Sequence, residues 1–246
     1  MMVDWSAVIG EFVGTFVLIV LGNGVVAGAL LNKSKAQNAG WISITAGWAV
    51  AVFAGVAVSA ALGDSDGHLN PAFTVASVMM TGNPVRLATY IPAQILGAFC
   101  GAVAVWLQYK PHWELTEDAD TKFACFATAP AIYKPFWNFF SEVLGTFVLV
   151  LVATALFSKR VAPAGVAVGL GPMLVGALVW GVGLSLGGTT GYAINPARDF
   201  GPRIAHTLLP IAGKGGSGWG YAWVPVLGPL VGAALAAGVV KILSMV

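Results

Sequence analysis

The sequence predicts an all-α integral membrane protein, with six transmembrane helices and two re-entrant half-helices arranged as an inverted repeat. Three observations predict it. Hydrophobic residues make up 58% of the 246 and charged residues only 9%, where soluble domains carry about 25% charged residues. Six apolar segments are long enough for the roughly 20 helical residues that cross about 30 Å of hydrocarbon. The triplet Asn-Pro-Ala also interrupts this apolar chain twice, at Asn70 and at Asn195.

The spans are predicted near Trp5 to Leu31, Trp41 to Leu62, Arg86 to Leu107, Phe136 to Phe157, Gly165 to Leu186 and Tyr221 to Leu243. The start of the chain has no basic n-region and no small-residue cleavage site, so the first run reads as a transmembrane helix and not a cleaved signal. The connection NKSKAQNAG is short and polar, and SKRVAPA is short and basic. The longest connection, running from Tyr109 to Pro135, holds the acidic stretch Glu114 to Asp120, which reads as a solvated loop.

Two further apolar pieces, Asn70 to about Met80 and Asn195 to about Leu209, are too short to span. Each opens on Asn-Pro. The residue before a proline is pushed out of the α region, while Asn is a good N-cap and Pro suits the first helical position. The triplet therefore breaks one helix and starts another. Residues TGNP, with Gly82 and Pro84, stop the first piece. About ten residues rise roughly 15 Å, half the hydrocarbon thickness. Two such pieces meeting N-terminus to N-terminus at the midplane replace one span. Polar backbone at that depth is tolerated only when buried in protein or lining a water-filled cavity. Pro202 inside the second piece predicts a bend or an early loosening.

The chain repeats itself. EFVGTFVLIV from Glu11 returns as EVLGTFVLVL from Glu142, 131 residues on; the Asn-Pro-Ala of Asn70 returns 125 residues on; QILGA from Gln94 resembles GPLVGA from Gly228. One domain built of two repeats, at about 1–110 and 135–246, is expected. Three full spans per repeat start the second from the opposite side of the membrane, and such folds place their site at the repeat interface near the midplane.

Other functions are disfavoured. The net charge of +2 is scattered, with no basic run for nucleic acid. Cys100 and Cys125 lack metal or CxxC spacing and read as unpaired packing residues. His68, His112 and His206 do not cluster. With no nucleophile–base pair or metal cluster in view, neither an enzyme nor a cofactor is expected.

The paired Asn-Pro-Ala triplets, the repeated Glu, GHLNPA and NPARDFGP together resemble the aquaporin family of major intrinsic proteins, over nearly the whole chain. Asp199 after Arg198 further resembles the glycerol-facilitator branch, whose pores are wider than those of water-selective members. The resemblance implies a homotetramer in the plasma membrane with a pore in each protomer, both termini cytoplasmic, and passive flow of small neutral solutes without ions or protons. Counting basic residues on that topology gives four inside (Arg86, Lys159, Arg160, Lys241) and seven outside (Lys33, Lys35, Lys110, Lys122, Lys134, Arg203, Lys214). That runs against the positive-inside tendency.

Carried over residue by residue, the resemblance implies that Asn70 and Asn195 offer amide donors to the solute. The narrowest constriction falls on Trp48, Gly183, Tyr192 and Arg198, with Val50 or Ala51 as substitutes for Trp48 if LGDSDGHLNP carries two extra residues within the helix. There the aromatic rings face the carbon side of a polyol and Arg198 its hydroxyls, while Gly183 adds width; close helix packing is its alternative role. The carbonyls of Asp66, Gly67 and His68, and of Gly191, Tyr192 and Ala193, form an acceptor ladder, and His68 lines the cytoplasmic half of the pore. Glu11 and Glu142 hold the loops, and Asp199 braces one of them.

The expected function is a channel for glycerol and other small uncharged solutes: water, dihydroxyacetone, urea, hydrogen peroxide and undissociated lactic acid. A water-selective channel and an inverted-repeat secondary transporter are the alternatives. The latter needs ionisable groups at the midplane, and only Glu11, Glu142 and Arg198 are candidates.

Overall fold

The computed structural model describes residues 3–63 and 65–244; Asp64, in the longer-than-expected loop before the first triplet, lies outside them. The described residues form ten helices: α1 (Trp5–Leu30), α2 (Gly40–Gly63), α3 (Pro71–Thr81), α4 (Val85–Gln108), α5 (His112–Leu115), α6 (Ala119–Ala124), α7 (Pro135–Phe157), α8 (Leu170–Leu186), α9 (Pro196–Leu208) and α10 (Trp223–Ile242).

Five helices, α1, α2, α4, α7 and α10, are long and apolar enough to cross a membrane. The remaining predicted span, the fifth in chain order, is shorter than expected. α8 has 17 residues and begins at Leu170, not Gly165. The apolar run GVAVG reads as helix, but Gly165 and Gly169 sit at φ +81° and +82°, a left-handed conformation that ends or precedes a helix. At 1.5 Å per residue, α8 still rises about 26 Å.

The half-helices start as the triplets dictate. The Asn70 side chain accepts from the Ala72 N–H, and Asn195 accepts from Ala197 and Arg198 N–H, with Pro at the first helical position in both. α3 stops at Gly82, whose φ of +77° closes the last turn onto the Val78 carbonyl. The loosening expected at Pro202 does not occur, and α9 runs on to Leu208. Arg203 bridges the proline by reaching back one turn to Asp199, with Nε and an Nη at 2.8 and 3.0 Å from the two carboxylate oxygens.

The long connection is only partly the solvated loop expected of it. Its acids Glu114, Glu117, Asp118 and Asp120 are exposed, yet Trp113, Phe123 and Phe126 are buried beneath them. Two basic residues counted as outward-facing, Lys122 and Arg203, are buried as well. They bond carbonyls and Asp199, so they do not report orientation. Cys100 and Cys125 are both free.

Packing crosses between the two halves. α1 lies on α2 and α4, and α7 on α8 and α10, but α3 packs on α10 and α9 on α4. Glycines allow the closest approaches. A Cβ at Gly97 would lie 2.3 Å from the Phe12 carbonyl oxygen, and one at Gly232 would lie 2.3 Å from that of Val143; Phe12 and Val143 are again 131 residues apart. Backbone cannot retreat as a side-chain tip can. Gly97→Ala and Gly232→Ala are each expected to destabilise by about 1–3 kcal/mol, the range for overpacking. Thermal unfolding in detergent should show this as a lowered Tm, while Gly238→Ala, with nothing within 4 Å of its added carbon, stays at the parent value.

Candidate functional site

The chain before each half-helix must turn sharply inside the protein, and it does so at a cost. Leu69, Tyr192 and Ile194 adopt φ of +51°, +40° and +43°, a region that costs a residue with a Cβ roughly 1–2 kcal/mol. Buried carboxylates hold these conformations. Glu11 accepts from the His68 and Leu69 N–H groups, the Ser65 hydroxyl and the Gln94 amide, all at 2.7 Å. Glu142 accepts from the Ala193 and Ile194 N–H groups at 3.0 and 2.8 Å and from the Thr190 hydroxyl at 2.7 Å. Each donor of the second set lies 125 residues after its counterpart in the first. The Gln94 amide alone has none, because Pro229 stands in its place in the repeated motif.

The two triplets meet. The Asn70 amide donates to the Ile194 carbonyl and the Asn195 amide to the Leu69 carbonyl, both at 2.8 Å. Each Asn therefore caps its own half-helix with oxygen and ties the opposite loop with nitrogen. One amide N–H per residue remains uncommitted, and both residues line a cavity of about 530 Å³. Asp66, Gly67, His68, Tyr192 and Ala193 line it too. His68 Nδ1 lies 3.1 Å from the Thr74 hydroxyl. That hydroxyl already donates to the Asn70 carbonyl and accepts from Gln94. Thr74 has only acceptor capacity left, so His68 Nδ1 carries the proton and Nε2 keeps a free lone pair.

A second cavity, of about 460 Å³, has Trp48, Tyr192 and Arg198 in common with the first. The Arg198 guanidinium sits 4.2 Å from the Trp48 ring centroid and reaches the Phe126 carbonyl at 3.5 Å. Among the described residues it forms no ion pair, and a buried charge of this kind is a functional feature by default. Val50 faces outward, and Ala51 lines neither cavity; Trp48 is the helix residue that meets Arg198.

Gly183 was expected at the constriction, and in the structure it lies directly behind the Tyr192 ring. It lines neither cavity, because the Tyr192 ring fills the space its side chain would take: an added Cβ would lie 2.7 to 2.9 Å from that ring. Trp48 is seated in the same way on Gly22, at 2.2 to 2.5 Å from a notional Cβ. Trp41 completes the corner, packing edge-on against Tyr192 at 5.8 Å and donating to the Gly183 carbonyl at 3.1 Å. Gly22, Trp41 and Phe126 carry no sequence signal for these roles; their partners lie far along the chain.

Asp199 does not touch either cavity. It accepts from the Thr128 N–H and hydroxyl at 2.8 and 2.7 Å and pairs with Arg203, which also bonds the Thr128, Ser217 and Gly218 carbonyls. The cluster ties the long connection onto α9 beside Arg198.

Known proteins resemble this chain in sequence and fold. The sequence model described as Major intrinsic protein matches residues 1–240. The chain belongs to the major intrinsic protein family. It is 56% identical over 230 residues to glycerol uptake facilitator protein 3 of Lactiplantibacillus plantarum, covering 93% of each chain. It is 53% identical to the glycerol uptake facilitator protein of Streptococcus pneumoniae, over 92% of this chain and 94% of the other. The X-ray structure of the aquaglyceroporin from Plasmodium falciparum superposes with a TM-score of 0.85 at 28% identity, covering 97% of this chain and 96% of that one. A member of this family is a membrane channel and not an enzyme.

If Glu142 holds its loop through the Ala193 and Ile194 amides, Glu142→Ala leaves buried donors unpaired at about 1–3 kcal/mol each. Hydrogen exchange of residues 190–195 in this major intrinsic protein should then accelerate at least tenfold, with exchange of α1 unchanged.

Proposed function

We propose that the protein is a passive channel for glycerol and other small uncharged solutes. Water, dihydroxyacetone, urea, hydrogen peroxide and undissociated lactic acid fall within that class, and ions and protons are excluded. The observation that carries the reading is the junction of the two cavities, where Trp48 and Tyr192 offer apolar ring surface and Arg198 offers hydrogen-bond donors. A polyol has a carbon edge for the rings and hydroxyl oxygens for the guanidinium. The uncommitted amide N–H groups of Asn70 and Asn195 offer the next donors, and the backbone carbonyls from Asp66 to His68 and from Gly191 to Ala193 serve as acceptors. The names of the relatives support the same solute.

The reading includes a homotetramer in the plasma membrane with both termini cytoplasmic, and a single domain of two inverted repeats. The repeat is supported by the matched offsets of 131 and 125 residues. Ion exclusion follows from charge. Each half-helix N-terminus carries about +0.5 of an elementary charge, the two ends meet at the Asn caps, and Arg198 adds a full charge one turn away. This is the electrostatic barrier of aquaporin-type pores. In planar bilayers the purified protein should carry no current above background; proton or sodium conductance would overturn the assignment.

Solute choice is tested at Gly183. In Gly183→His the imidazole and the Tyr192 ring compete for one space, so the ring is driven toward the lumen. Stopped-flow measurements on the same proteoliposomes should show glycerol permeability falling more than tenfold, a barrier rise of at least about 1.4 kcal/mol, with water permeability less affected. A parallel fall in both, normalised to folded protein, would mean that Gly183 matters only for packing.

A further inference from the structure

The larger cavity continues past the Asn caps to a mouth formed where α3 and α7 end and α4 and α8 begin. Its polar lining is Asp66, Ser77, Thr81 and Arg86, and its apolar lining includes Phe157 and Val175. Arg86 pairs with the Asp66 carboxylate, donates to the Ser77 hydroxyl at 3.2 Å and lies 5.7 Å from the Tyr90 ring centroid. His68 Nε2 is 3.9 Å from Asp66, beyond hydrogen-bond reach. Like the junction at Arg198, this end joins a guanidinium to apolar surface, and no sequence motif announced it.

We infer that the mouth holds a second binding station for small neutral polyols, built on the Asp66–Arg86 pair, with Phe157 in the lining of the same cavity; the inference rests on the channel reading above. A guanidinium has five N–H donors, and the contacts to Asp66 and Ser77 leave others free. Ser77 accepts from Arg86, so its own proton is available. Thr81 gives its proton to the Ser77 carbonyl at 2.8 Å and keeps lone pairs. The station thus offers donors and acceptors within one turn of helix, which matches adjacent hydroxyls that are each donor and acceptor. Charge decides the class of solute. Arg198 has no carboxylate partner among the described residues, but Arg86 is neutralised by Asp66, so this mouth binds hydroxyls without gathering anions. Both charged side chains are partly exposed, at 24% for Arg86 and 46% for Asp66. A solute at the mouth can therefore reach the pair and share its hydrogen bonds.

The test is equilibrium exchange of labelled glycerol across proteoliposomes of the full-length protein, over a range of glycerol concentrations. A station in the conduction path makes exchange saturate. Arg86→Gln removes the charged donors, and Phe157→Ala removes apolar surface while leaving the ion pair in place. Each is expected to raise the half-saturating concentration, Arg86→Gln by about tenfold or more, as for loss of one hydrogen bond to a charged group. If Arg86→Gln does not fold, Phe157→Ala decides alone. A half-saturating concentration that stays at the parent value in either folded variant overturns the station, as does parent exchange that stays linear up to molar glycerol. No glycerol exchange at all in the parent overturns the channel reading itself.

Discussion

Everything in this molecule hangs on two buried carboxylates that hold irregular backbone at the depth of a membrane. A loop there has no water to satisfy its N–H groups, and each unpaired group costs several kcal/mol. Glu11 and Glu142 supply acceptors from helices that already cross the protein. With those bonds in place, Leu69, Tyr192 and Ile194 can hold left-handed conformations they would otherwise abandon. The half-helices can then begin at the triplets, and the Asn amides can reach across to the opposite loops. The set is not symmetric. Glu11 has a fourth donor in Gln94, where Glu142 has none because proline occupies the matching position. The loop before α3 is therefore the more firmly anchored of the two.

The junction of the cavities depends on a different economy of space. Trp48 and Tyr192 are large rings in a crowded interior, and each lies against a glycine, Gly22 or Gly183. The glycines set how far back the rings can sit, and thereby how much lumen is left beside Arg198. The shape of the space at this point is set jointly by α1, α2, α8 and the loop before α9. A substitution at either glycine can change that shape without touching Trp48, Tyr192 or Arg198 themselves.

Much of this was legible in the sequence, for physical reasons that can be named. The half-helices were placed to within a residue or two because Asn-Pro both breaks and caps, and the buried acids stood out because a charge inside an apolar repeat needs a partner. The beginning of α8 was missed because GVAVG is as apolar as the helix it precedes; only backbone conformation separates them. Arg203 looked like a surface charge because its partners, Asp199 apart, lie on a distant connection that sequence spacing does not bring near. At Gly183 the resemblance to a constriction position says where the residue falls but not that the Tyr192 ring fills the gap beside it. Trp41 reads as one of nine tryptophans, and nothing local distinguishes a belt residue from one that bonds the Gly183 carbonyl.

The reciprocal ties between the triplets also govern the order in which the protein can be completed. The Asn70 amide bonds a carbonyl 124 residues further along, and α3 packs on α10, the last helix of the chain. At roughly 5–20 residues per second, a ribosome needs on the order of ten seconds to make that partner after Asn70 emerges. Throughout that interval the first half sits in the translocon or the bilayer with its loop anchored to Glu11 but its half-helix uncovered. Its polar end then has only water or a chaperone to satisfy it. The fold is thus closed by its final helix, and a chain that stalls before Trp223 leaves α3 without the surface it packs against.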